Sequence, residues 1–114
     1  MELSENQLKQ VLNLVEEKKG RDLVLLNLKG VSPVTDYFLI ATGNSVTQVK
    51  AITDNLQEKL PDLGIPLLRV EGMPEAQWVL ADCGDLVVHI MTPETRDFYN
   101  IERLWSDAEI MSFS

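Results

Sequence analysis

Apolar positions along the first sixty residues form two helical stripes with extended runs between them. Leu8, Val11, Leu12 and Val15 fall at i, i+3, i+4 and i+7, which places them on one helical face. Ser4 and Gln7 stand at capping-box spacing ahead of this stripe, and Gly20 follows Lys18 and Lys19 as a C′ glycine. The pattern predicts a helix over residues 4–19. A nearly continuous apolar run then extends from Asp22 to Leu28, the mark of a strand covered on both faces. Pro33 marks a turn, and Tyr37-Phe38-Leu39-Ile40-Ala41 reads as a second strand. Ser45 with Gln48 repeats the capping-box spacing. Val49, Ile52, Leu56 and Leu60 mark the buried face of a second helix, which Pro61 ends.

The second half alternates on a shorter period. Residues 67–71 are predicted to form a third strand, and residues 77–82 and 85–91 a hairpin about Cys83-Gly84. Trp78, Leu80 and Asp82 share one face of the first arm, with Val79 and Ala81 opposite. Leu86, Val88 and Ile90 share a face of the second arm, with Val87, His89 and Met91 opposite. Thr92-Pro93-Glu94 is a helix start, followed by one bent or two short helices through Trp105. Phe98 and Trp105 are expected in the core, Trp78 and Tyr99 at the surface. Residues 106–114 carry no pattern. These elements predict one α/β domain over residues 1–114, a mixed sheet of about five strands flanked by helices.

Charge adds a direction. The net charge is −8. Residues 1–70 hold nine acidic and eight basic side chains, whereas residues 71–114 hold nine acidic ones against Arg96 and Arg103. An acidic C-terminal third disfavours contact with a phosphate backbone and favours a basic protein partner. The single cysteine, Cys83, excludes an internal disulfide and fits a reducing, cytoplasmic setting. The first residues lack a signal-peptide pattern, and no apolar run approaches the length of a membrane span.

Candidate chemistry is thin. Gly43-Asn44-Ser45, between a strand and a helix, has the form of a phosphate cradle. A nucleotidyltransferase-like site also needs two acids at i, i+2 on the next strand, and Leu67 to Glu71 lacks them. Asp36 reads as a turn residue. One His and one Cys supply too few ligands for zinc. Cys83 lies between Asp82 and Asp85, whose charge raises a thiol pKa and opposes nucleophilic use. A protein-binding face is the stronger expectation, because Trp78, Met91, Tyr99 and Trp105 fall in the acidic third.

Four long motifs in order resemble the Iojap-like family of bacterial ribosomal silencing factors. They are D-L-V-L-L-N-L-K-G-V-S-P-V-T-D-Y-F-L-I-A-T-G-N-S (Asp22 to Ser45), R-V-E-G (Arg69 to Gly72), W-V-L-A-D-C-G-D-L-V-V-H-I-M (Trp78 to Met91) and F-Y-N-I-E-R-L-W (Phe98 to Trp105). Cys83 departs from the bulkier residue common there. The resemblance implies a nucleotidyltransferase-like fold without enzymatic activity, metal or cofactor. It implies binding to the large ribosomal subunit through ribosomal protein fourteen of that subunit. Joining of the small subunit would then be blocked and translation lowered when nutrients are short. It further implies Trp78 as aromatic anchor, Asp82, Asp85 and Glu102 as answers to basic groups, and His89, Met91 and Tyr99 as the rest of the face. A homodimer is also implied. The competing readings are a nucleotidyltransferase-like enzyme using Gly43 to Ser45 and a general scaffold with another basic partner.

Overall fold

The computed structural model describes residues 3–111. Helix α1 spans Glu5–Glu17, and its capping box forms as the spacing requires. The Gln7 amide donates to Ser4 Oγ at 3.0 Å, and the Ser4 amide to Gln7 Oε1 at 2.9 Å. Leu8, Val11, Leu14 and Val15 are buried. Its exit differs from the expectation, because Lys19 rather than Gly20 takes the left-handed conformation. Gly20 is needed for space: a Cβ there would stand 2.4 Å from Val15 Cγ1.

Strands β1 (Arg21–Asn27) and β2 (Tyr37–Thr42) follow, then α2 (Val46–Lys59), which continues as a 3-10 turn over Leu60–Leu63. Next come β3 (Arg69–Glu71), β4 (Trp78–Asp82) and β5 (Leu86–Met91). The last elements are α3 (Pro93–Tyr99), the single turn α4 (Ile101–Leu104) and β6 (Glu109–Met111). The helical segment after Thr92 is thus two pieces, broken at Asn100 in the left-handed region.

Six strands form one sheet in the order β3-β4-β5-β2-β1-β6, one more than expected. The addition is β6, in the segment that had no pattern. It pairs antiparallel with β1, Ile110 opposite Leu26. β2 and β5 run parallel, and every other neighbouring pair is antiparallel. The hairpin tip is shifted by one residue from the expected Cys83-Gly84. Cys83 still pairs with Leu86, its amide donating to the Leu86 carbonyl at 2.8 Å, so Gly84 and Asp85 form the turn. Gly84, at φ +82°, takes the position that calls for glycine.

Helices α1 and α2 cover one face of the sheet. Beneath them lie Leu25, Leu39, Ala41, Val79, Ala81, Leu86, Val88 and Ile90, all buried. The other face carries a smaller cluster, Leu26, Leu28, Ile40, Met91, Ile101 and Ala108, with Phe38, Trp78 and Trp105 at its border. Its cover is α3 and α4, of seven and four residues, and α3 has no buried residue. Two such short pieces cannot roof six strands.

Candidate functional site: the open face of the sheet

Strand register lays out this second face as a grid. Glu71, Leu80, His89, Ile40 and Val24 form one row across β3, β4, β5, β2 and β1. Arg69, Asp82, Val87, Phe38 and Leu26 form the row below, and Trp78, Met91 and Thr42 the row above. The alternation expected for both hairpin arms holds in this register.

A chain of rings crosses the grid. Phe98 meets Tyr99 edge-on with centroids 5.0 Å apart, and Tyr99 meets Trp78 at 5.0 Å. Trp78 leads to His89, which packs 4.5 Å from Phe38, and Phe38 reaches Trp105 at 5.6 Å. One end of this chain faces solvent. Phe98 is 81% exposed and Tyr99 54%. Trp78 and Leu80 are half-buried. Phe98 therefore lies outside the core, contrary to expectation. It stands on the last turn of α3, which ends before any element crosses it.

The expected contact residues divide into three groups. Trp78 and Tyr99 pack together with their rings tilted by 48°, Tyr99 exposed as anticipated and Trp78 half-buried. Met91 and His89 are buried at 0% and 4% exposure, so they support the face from beneath and cannot themselves touch a partner. The three acids do not gather. Asp82 lies at the turn end of the hairpin, four rungs down the β4–β5 ladder from Trp78, and Asp85 lies in the turn beyond it. Asp82 accepts from the Gly84 amide at 2.9 Å and lies 3.3 Å from Arg69 Nε. The Asp85 carbonyl accepts from the amides of Asp36 and Tyr37, which ties the tip to β2. Glu102, on α4, is held by Arg96 through Nε and Nη2 at 3.1 and 3.2 Å.

His89 is defined by its neighbours. The Trp78 indole N–H donates to His89 Nδ1 at 3.1 Å. Indole nitrogen only donates, so Nδ1 is the acceptor and the ring proton sits on Nε2. Nε2 has no hydrogen-bond partner among the described residues. Burial holds the imidazole neutral and depresses its pKa to about 4. The hydrogen bond and the Tyr99 contact together fix the indole plane.

The other candidate chemistry resolves into structure. At Gly43-Asn44-Ser45 the Gln48 side chain fills the cradle: its Oε1 accepts from the Asn44 amide at 2.6 Å, and Ser45 Oγ caps the Gln48 amide at 3.2 Å. A cleft of about 380 Å³ opens beside the carboxyl ends of β2 and β5, lined in part by Arg21, Asp22, Thr42, Arg96 and Glu102. Ligands of open α/β sheets favour this location. Here Arg96 uses four of its five N–H donors within the fold, bonding Glu102 twice, the Asp22 carbonyl at 2.6 Å and Thr42 Oγ1 at 2.8 Å. Cys83 is buried, and burial first, then Asp82, pushes its thiol up to about 12. No group of three or more His, Cys, Asp or Glu side chains among the described residues is placed to hold a metal ion. Nor is any described helix long and apolar enough to cross a membrane.

The family model described as "Ribosomal silencing factor during starvation" matches residues 1–114 of the chain. The chain belongs to the RsfS family. The ribosomal silencing factor RsfS of Halalkalibacterium halodurans is 46% identical over 101 residues, 89% of this chain and 86% of that protein. A mouse protein named mitochondrial assembly of ribosomal large subunit protein 1 is 30% identical over 99 residues, 84% of this chain and 43% of that longer protein. A crystal structure of a Bacillus halodurans protein superimposes with a TM-score of 0.84 at 40% identity, covering 96% of this chain and all of that one. The family expectation drawn from the four motifs therefore holds, and so does the α/β fold. The family's name speaks of ribosomal silencing.

Proposed function

We propose that the chain is a translation repressor of the cytoplasm that docks on the large ribosomal subunit through ribosomal protein fourteen and excludes the small subunit by its volume. The observation that carries this reading is the aromatic row Phe98–Tyr99–Trp78 on the face of the sheet that the short helices leave open. Exposed aromatic anchors beside half-buried apolar positions have the composition of an interface centre. The names of the relatives supply the ribosome, and the net charge of −8 favours a basic protein over RNA as the landmark. A steric block needs no reacting group, which fits a cleft whose Arg96 is mostly engaged within the fold.

Trp78 sets residence time in this reading, while the acidic field sets the encounter rate. Asp82 and Glu102 already hold Arg69 and Arg96, so their share is field rather than private contact. The test is sucrose-gradient sedimentation with purified subunits. The parent should migrate with the large subunit and deplete assembled ribosomes. Trp78→Ala and Tyr99→Ala should each weaken binding by about thirtyfold, roughly 2 kcal/mol for a central anchor. Parent-like migration of both variants would move the docking face elsewhere.

A further inference from the structure

Strand β4 is longer than its edge neighbour. The β3–β4 register pairs Arg69 with Asp82, Val70 with Ala81 and Glu71 with Leu80, and there β3 stops. Trp78 has Met91 beside it on β5 and no neighbour from β3. The chain turns away at Gly72, with φ at +92°. A Cβ at that position would stand 2.2 Å from the Trp78 carbonyl oxygen, so only glycine can pass this close to the β4 backbone. A notch of about 270 Å³ remains, lined by Glu71, Gly72, Trp78 and Leu80.

Its lining selects one kind of occupant. Leu80 gives an aliphatic floor, and the indole gives a π face. Glu71 sits diagonally across the ladder from Trp78, on the same side of the sheet, about 7–8 Å away at the backbone and within reach of a long side chain. An anion would meet the Glu71 carboxylate. A wholly apolar group would strip water from that carboxylate with nothing in return. A side chain with an aliphatic stem and a cationic end satisfies all three walls: stem on Leu80, cation over the indole, ion pair to Glu71.

We propose that this notch seats a lysine or arginine side chain of the protein partner, Glu71 being the carboxylate that receives it. The assignment rests on the docking reading above and adds a residue and a chemistry to it. In the free chain Arg69 Nε lies 3.3 Å from Glu71 Oε1 and 3.3 Å from Asp82 Oδ2, with the Arg69 and Glu71 side chains 65% and 59% exposed. Such exposed pairs exchange readily, and a carboxylate has acceptor sites beyond the one that Arg69 uses. Arg69 keeps Asp82 when the newcomer takes Glu71. Arg69 thus holds the place of the incoming cation and keeps the empty notch soluble.

Two measurements test it. The first titrates N-acetyl-lysine amide against N-acetyl-norleucine amide and reads Trp78 emission in a Trp105→Phe background, which leaves one indole of the two. If that variant does not fold, the Trp78 indole N–H resonance of the parent replaces emission. The lysine derivative should give a saturable response, the norleucine one none, and Glu71→Gln should weaken the response roughly five- to tenfold. The second compares the parent with Glu71→Gln and Glu71→Arg in large-subunit sedimentation over a salt series. Glu71→Gln should bind about tenfold more weakly with a flatter salt dependence, and Glu71→Arg more weakly still. A parent that co-sediments alongside an unchanged Glu71→Gln overturns the notch and leaves the docking reading intact. A parent that does not co-sediment overturns the docking reading. The titration then decides the notch alone, and equal responses to lysine and norleucine, or an unaffected Glu71→Gln, reject it.

Discussion

His89 shows how one side chain links the face to the stability of the fold. Its pKa falls from an ordinary 6.5 to about 4 on burial. Between those values the unfolded chain takes up a proton that the folded chain refuses, so stability is full above pH 6.5 and declines as pH falls toward 4. At pH 5 this one residue should cost the fold roughly 2 kcal/mol relative to pH 7. His89→Gln keeps an acceptor for the indole and removes the titration. Its urea midpoint should therefore drop much less than the parent's between pH 7 and pH 5, and parallel drops would show that His89 is accessible to protons. Alternation placed His89 on the correct side of its strand, and the contact role that the family resemblance implied for it meets a residue that is 4% exposed. Alternation tells which face a residue takes, but whether another element covers that face depends on distant parts of the chain.

Among the elements, α3 and α4 are the least secured, and Arg96 is their tie. The Arg96 side chain is only 13% exposed and joins α3 to Glu102 on α4, the Asp22 carbonyl on β1 and Thr42 on β2. No residue of α3 is buried, so beyond Arg96 the segment that displays Phe98 and Tyr99 is anchored chiefly by Ile101 and the Tyr99–Trp78 contact. Arg96→Met should destabilise the protein by about 1–3 kcal/mol, because it leaves a carboxylate, a carbonyl and a hydroxyl without their donor. Hydrogen exchange should show the loss locally, with faster amides in residues 93–104 and unchanged protection in α1 and α2. Elements governed by local chemistry were legible beforehand. Ser4 with Gln7, Ser45 with Gln48, and Thr92-Pro93 each marked a helix start that the structure contains. β6 was not legible, since three residues are too few to show a period and only the open edge of β1 makes them a strand. Phe98 was misjudged for a related reason: α3 buries none of its residues, and whether another element covers a helix face depends on distant parts of the chain.

For the whole molecule, the decisive asymmetry is a sheet roofed on one side and left open on the other. The same sheet contains one parallel pairing, β2 with β5, and it lies at the centre. β2 ends at Thr42 and β5 begins at Leu86, so the two strands meet only across the whole intervening segment. Closing that loop costs entropy before any centre-strand contact compensates it. Val88→Ala in β5 should therefore slow refolding, whereas Ser4→Ala, a cap worth about 1 kcal/mol, should chiefly speed unfolding. Stopped-flow chevrons of the two variants separate these outcomes. The central pairing also matters during synthesis. While the chain is still being made, β1 and β2 can pair as soon as they emerge, but the free edge of β2 stays bare until Met91 has left the exit tunnel. A protein proposed to silence ribosomes would thus be most prone to misassociation while it is still attached to one.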